Sequence, residues 1–182
     1  MKLLRTIQLD ASDTFVFEHP AEPGEWAVSG AFAYLGADVQ ALHGKRRTAF
    51  RAGFLGVNSL GRSTLVQVVN ASKQDHAAVV EMLAARLVAH FGAPDLAVAT
   101  HAAEEEVSFV ASLCDHPAGV IIAVTRTFEG GVIREAFRTL RPGVQTPSSA
   151  FQFVEVVGED VPDENMPDEH VDLAGMVREA KP

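Results

Sequence analysis

Hydrophobic positions along this chain follow two spacings, and the switches between them mark out the elements. Residues 2–9 and 14–18 carry short apolar runs of the kind strands make, split by the turn-forming Asp10-Ala11-Ser12-Asp13. Pro20, Pro23 and Gly24 then break the chain. Residues 26–35 are apolar but interrupted by Gly30, and the pattern there fits a strand or a short helix equally well. Strands are expected again at 48–55 and 63–70, with Gly56, Asn58 and Gly61 giving the backbone freedom for a loop between them.

The spacing then becomes helical. Ser72 followed by Asp75 is a capping signal, and Val80, Leu83, Leu87 and Phe91 recur on one face, predicting a helix over Lys73–Phe91. Gly92 and Pro94 end it. A short strand is expected at 96–99, then a second helix from about His101 to Cys114. On that reading Glu104, Glu105 and Glu106 fall in its first turn, where the helix dipole favours acids. Val107, Val110 and Cys114 share one face, with Phe109 and Leu113 beside it, and Pro117 and Gly119 close the segment.

Residues 120–140 predict a hairpin about Gly130-Gly131, because a two-residue primed turn needs positive φ at both central positions. The register follows: Glu129 faces Val132, Phe128 faces Ile133, Arg126 faces Glu135 and Val124 faces Phe137. One face is then apolar with a single charge pair in its middle. The other carries Thr125, Thr127, Arg134 and Arg138 and should be wet. Arg141-Pro142-Gly143 opens a turn-rich stretch to Ala150, residues 151–157 predict a last strand, and Pro162 and Pro167 mark 158–170 as loop or disorder. Residues 171–180 fit a short helix.

Strands in neighbouring pairs, with two helices between them, point to the α+β class. The expectation is a mixed, largely antiparallel sheet with two helices packed on one face. Residues 1–157 form one domain on this reading, and 158–182 an acidic C-terminal tail.

Charge sharpens that division. From Phe151 onward there are nine acids against two bases, which accounts for seven of the nine net negative charges of the 182-residue chain. The body is nearly neutral, so a nucleic-acid partner is not expected, since counterion release needs a basic footprint. Hydrophobic residues make up 47 % and mean hydropathy is +0.10. That apolar surplus fills a thick core or faces another copy of the chain, so a homodimer or a protein partner is expected. No apolar run approaches the ~18 residues of a membrane span. The first residues turn polar by Asp10, which is no signal peptide, and Cys114 alone allows no intrachain disulfide. The expected compartment is the cytoplasm.

Candidate chemistry is sparse. Cys114-Asp115-His116 are consecutive, so on a helix they point about 100° apart and cannot form a relay among themselves. His101, Glu104 and Glu105 share a helix face, but His116 lies roughly 20 Å away along that helix and no further ligand is evident, so no metal is expected. Gly56 to Ser63 superficially resembles a phosphate loop but lacks its lysine, and a strand rather than a helix follows. The usual cofactor and hydrolase motifs do not occur, and no cofactor is expected. Two basic groups remain as candidate anion sites: Lys45, Arg46 and Arg47 beside Gly44, and the arginines Arg126, Arg134 and Arg138 of the hairpin, whose planar forks suit carboxylate or phosphate.

The stretches LLRTIQLDASDTFVFE (3–18), GEWAVSGAF (24–32) and VIIAVTRTFEGGVIREAFRTL (120–140) resemble a family of small uncharacterised bacterial proteins. The resemblance spans most of the body and implies a bacterial cytoplasmic origin, with no functional residues to carry over. Two functional expectations stand: an accessory protein that binds itself or a protein partner, or a protein that binds or transforms an anionic small molecule at an arginine-lined site. Convergence of those basic residues on a concave pocket would favour the second.

Overall fold

Consecutive buried leucines, Leu3 and Leu4, mark the first strand as one covered on both faces, and it lies inside a sheet rather than at its edge. The computed structural model describes residues 1–141 and 155–157. Its strands are β1 (Lys2–Ile7), β2 (Trp26–Val28), β3 (Phe54–Gly56), β4 (Arg62–Ser63), β5 (Leu65–Asn70), β6 (Ile121–Glu129), β7 (Val132–Arg141) and β8 (Glu155–Val157). They lie in the order β4-β3-β2-β1-β5-β6-β7-β8. Every ladder between these strands is antiparallel, and an isolated parallel bridge joins Pro20 to Arg62. The protein is α+β.

Among the described residues four α-helices accompany the sheet: α1 (Ser12–Val16), α2 (Gly44–Ala52), α3 (Lys73–His90) and α4 (Leu96–Leu113). The long pair α3 and α4 pack on each other, and α4 lies against β1 and β2. Ser72 caps α3 through a reciprocal bond pair with Asp75, as its spacing predicts. Val80, Leu83 and Leu87 from α3 meet Val107 and Val110 from α4, and Cys114 at its C-terminal cap, in one core with Leu4, Val66, Val68, Ile122 and Val124 of the sheet.

The hairpin register is as expected, from Glu129↔Val132 through Arg126↔Glu135 to Val124↔Phe137, and both turn glycines have positive φ (57° and 81°). β8 pairs with β7 through Leu140↔Val156, so the C-terminal half of the strand expected at 151–157 is present. Residues 151–154, the turn-rich stretch after Arg141, the acidic tail and the helix expected at 171–180 lie outside the described residues.

Three segments differ from expectation. Residues 14–18 are not a strand: Ser12–Val16 form the single turn of α1. That turn is held by Asp13, a buried carboxylate that accepts from the Thr64 hydroxyl at 2.7 Å and from its amide, a contact no local pattern encodes. Residues 48–55 divide between α2 and β3, with Phe50 the buried residue of the helix. A short apolar run of this length does not separate the two periods. The expected strand at 96–99 belongs to α4, whose cap is Asp95, its side chain accepting from the Val98 amide at 2.8 Å. Ala99, Ala103, Val107 and Val110 form the buried stripe of this helix. Glu104, Glu105 and Glu106 therefore lie in its middle, away from the dipole's positive end. The region 26–35 contains both alternatives: β2, then a 3₁₀ turn at Ala31–Tyr34, separated by Gly30 at φ 74°.

Candidate functional site

Alternation along β6 and β7 divides the hairpin arginines between two faces. Arg126 points into the protein and is 0 % exposed, whereas Arg134 and Arg138 stand exposed on the opposite face. The three do not form one strip. Arg126 is fully partnered: Nε donates to Glu135 Oε1 at 2.6 Å, Nη1 to the carbonyls of Phe50 (3.0 Å) and Gly53 (2.8 Å), and Nη2 to Ser29. The Ser29 hydroxyl donates in turn to Glu135. Arg126 therefore ties β6 and β7 to the end of α2 and the residue after β2, with no donor left for a ligand. Arg134 pairs at 3.7 Å with Glu129 on the exposed face.

Beside this network Glu106 of α4 accepts from the Gly30 amide at 3.0 Å. Burial raises its pKa above the ordinary carboxylate value, an effect the Gly30 and Ser29 amides and the Arg126 charge partly offset and Glu135 reinforces.

The other basic group does reach a concavity. A cleft of about 230 Å³ is lined by Glu18, His19, Tyr34, Lys45, Arg46 and Arg62 among its polar residues, with Leu42, Leu60 and three alanines as apolar wall. Arg47 does not line it. Lys45 and Arg46 come from the first turn of α2, which has no acid and no side-chain cap at His43. Three bases at the positive end of a helix is the reverse of the usual arrangement. Glu18 and His19 are brought in by the Pro20–Arg62 bridge, where the Arg62 amide donates to the His19 carbonyl at 2.7 Å and the Ala21 amide to the Arg62 carbonyl at 2.8 Å.

Arg62 does not stand out in the sequence, where it reads as part of a glycine loop. Its guanidinium lies over the Tyr34 ring, 5.1 Å from the centroid, and gives one long hydrogen bond, 3.4 Å, to the Gly53 carbonyl. Among the described residues no carboxylate pairs with it. Burial lowers its pKa from the ordinary arginine value, the Tyr34 phenol opposes this, and Arg126 adds to it. Tyr34 stacks edge-on against Phe50 at 5.1 Å. Burial raises its phenol pKa, while the charges of Arg62, Arg126 and Arg46 pull the other way. The one positive φ among the described non-glycine residues, Leu60 at 58°, also lies in the wall.

The glycine loop itself is occupied. Its Asn58 and Ser59 amides both donate at 2.9 Å to Glu25 Oε2, and the Ser59 hydroxyl donates to Oε1. A carboxylate of the chain sits where a phosphate would in the loop this segment resembles.

Cys114 is buried, and burial pushes its thiol up to about 11, so it is a neutral core group. His101 and Glu105 form an exposed i, i+4 pair at 3.5 Å. Among the described residues no three side chains of metal-ligating type come together, and no helix is long and apolar enough to cross a membrane.

Fold and site together define an α+β domain on an antiparallel sheet, with a small cation-lined cleft at the start of α2. The chain belongs to a family of unknown function, DUF6505, matched over residues 1–154. That agrees with the resemblance carried by residues 3–18, 24–32 and 120–140. No curated protein and no solved structure matches the chain.

Proposed function

We propose that this protein binds a small anion of carboxylate or phosphate type in the cleft beside α2. The observation that carries the reading is the convergence of Arg62, Arg46 and Lys45 on one concavity, with Arg62 lacking a carboxylate partner among the described residues. Natural binding sites combine an apolar wall with a few convergent polar groups, and this one has Leu42, Leu60 and the Tyr34 ring beside its three cations. At about 230 Å³ it suits a ligand below drug size. An arginine fork would supply direction, and the lysine and second arginine charge.

The test is thermal denaturation and calorimetry with inorganic phosphate, sulfate and small di- and tricarboxylates, against sodium chloride at equal ionic strength. At least one anion should raise the melting temperature beyond the salt control, and Arg62→Met and exposed Arg46→Ala should each weaken that effect. If no anion outperforms chloride at millimolar concentration, the reading is wrong.

A second reading, an accessory protein that binds a copy of itself or another cytoplasmic protein, draws on the exposed Leu9, Phe15 and Leu35, each more than 60 % exposed. Light scattering on size-separated protein tests it. A monomer at all concentrations removes the self-association form.

A further inference from the structure

The cleft contains opposite charges that do not meet. Glu18 lines it together with Lys45, Arg46 and Arg62. The ion pairs among the described residues lie elsewhere, at His101–Glu105, Arg126–Glu135 and Arg134–Glu129. No nitrogen of the three cations therefore comes within 4.0 Å of the Glu18 carboxylate. The side chains of Glu18, His19 and Arg46 make no hydrogen bond among the described residues, and Lys45 reaches only the Phe17 carbonyl at 3.4 Å.

Glu18 and His19 enter on the segment fixed by the Pro20–Arg62 bridge, which also carries Arg62, while Lys45 and Arg46 stand on α2. The cleft thus offers three cations and a carboxylate that form no ion pair with one another.

A purely anionic ligand satisfies the three cations and brings its charge toward Glu18. A ligand that also carries a cationic donor satisfies the cations and the carboxylate at once. We infer that the cleft takes a small zwitterion, whose anionic group is held by Arg62, Arg46 and Lys45 and whose ammonium group donates to Glu18. This rests on the anion-binding reading and specifies its ligand class, that of amino acids and aminoalkyl phosphates. Charge-assisted hydrogen bonds from an ammonium to a carboxylate are the stronger kind, so Glu18 acts as a specificity determinant rather than as general support.

Matched probes test it by calorimetry on the full chain: phosphoethanolamine against ethyl phosphate, and β-alanine against propionate. The amine-bearing member of a pair should bind the wild type about tenfold tighter, one charge-assisted contact's worth of discrimination. Glu18→Gln, a change at an exposed position, should abolish that preference and strengthen ethyl phosphate binding by removing the repulsion. Equal affinities within each pair would overturn the zwitterion inference and leave anion binding standing. A preference that persists in Glu18→Gln would overturn the role of Glu18. Absence of binding by every probe, with phosphate and carboxylates also inert, would remove the anion-binding reading itself.

Discussion

Arg126 and Glu135 face each other across the β6–β7 hairpin, and their ion pair, 2.6 Å from Nε to Oε1, lies on the covered side of the sheet. The arginine is 0 % exposed and its remaining donors reach three backbone carbonyls. Such a charge stays in the interior only because every donor is matched. Replacing one partner strands the other. Arg126→Met should cost about 3–5 kcal/mol in urea denaturation, and the double change Arg126→Met/Glu135→Leu should cost less than Arg126→Met alone. If the single change costs under ~1 kcal/mol, the network does not brace the hairpin.

Gly61 is needed for space and not for its dihedral angles. A β-carbon there would lie 2.4 Å from the Pro20 carbonyl oxygen and 2.6 Å from the Ala21 amide nitrogen, both backbone atoms. Gly61→Ala should destabilise by about 1–3 kcal/mol, since the Pro20–Arg62 bridge must part to admit the methyl. Because that bridge carries Glu18 and His19, ligand affinity should fall with it. A melting temperature equal to wild type would show that the loop admits a methyl group without disturbing the bridge.

Glu106 gives a pH signature. Its pKa in the folded protein is above the ordinary value of 4.5, so the folded state holds this proton more tightly than the unfolded chain. Stability from this group is therefore present at acid pH and lost as pH rises through the folded pKa. Glu106→Gln keeps an oxygen for the Gly30 amide and removes the titration. The stability of the variant minus that of the wild type should grow in the variant's favour as pH rises from about 4 into the neutral range, read by chemical denaturation at each pH. A difference that is flat or falls with pH would count against a half-buried Glu106 whose surroundings favour its proton.

Leu83 tests the helix pair. It is fully buried between α3 and the sheet core, so Leu83→Ala should cost about 2–5 kcal/mol, set by how far the surroundings collapse into the space. A loss well under 1 kcal/mol would mean the α3 stripe contributes little packing.

These elements differ in how far the sequence discloses them. The hairpin register is legible because paired glycines define the turn and one buried face forbids a slip. α3 is legible because Ser72 and Asp75 are local partners. α1 is not, because the bond that holds it runs from Asp13 to Thr64, distant in sequence. For α4 the sequence contains the true start, Asp95 after Pro94, but β-branched Val98 and Thr100 point toward a strand. Helix-favouring alanines and a capped end prevail over them. The cleft is half legible. Lys45 and Arg46 stand out as a basic run, whereas Glu18 and Arg62 join them through the Pro20–Arg62 bridge and Tyr34 through its ring contact with Phe50, all distant in sequence. Arg126 is set apart from Arg134 and Arg138 by the pleat, since Arg134 lies opposite Thr127 and so shares that residue's face.

The Glu25 carboxylate in the Asn58–Ser59 turn changes how that surface loop behaves in time. Amides on an exposed turn ordinarily trade their hydrogens with solvent through small, frequent openings. Here two of them are bonded to the carboxylate of a residue preceding β2, so exposing either requires that side chain to swing away or the two segments to separate. In deuterated water the Asn58 and Ser59 amides should keep their protons far longer than the loop's solvent exposure suggests. Glu25→Ala should release both together.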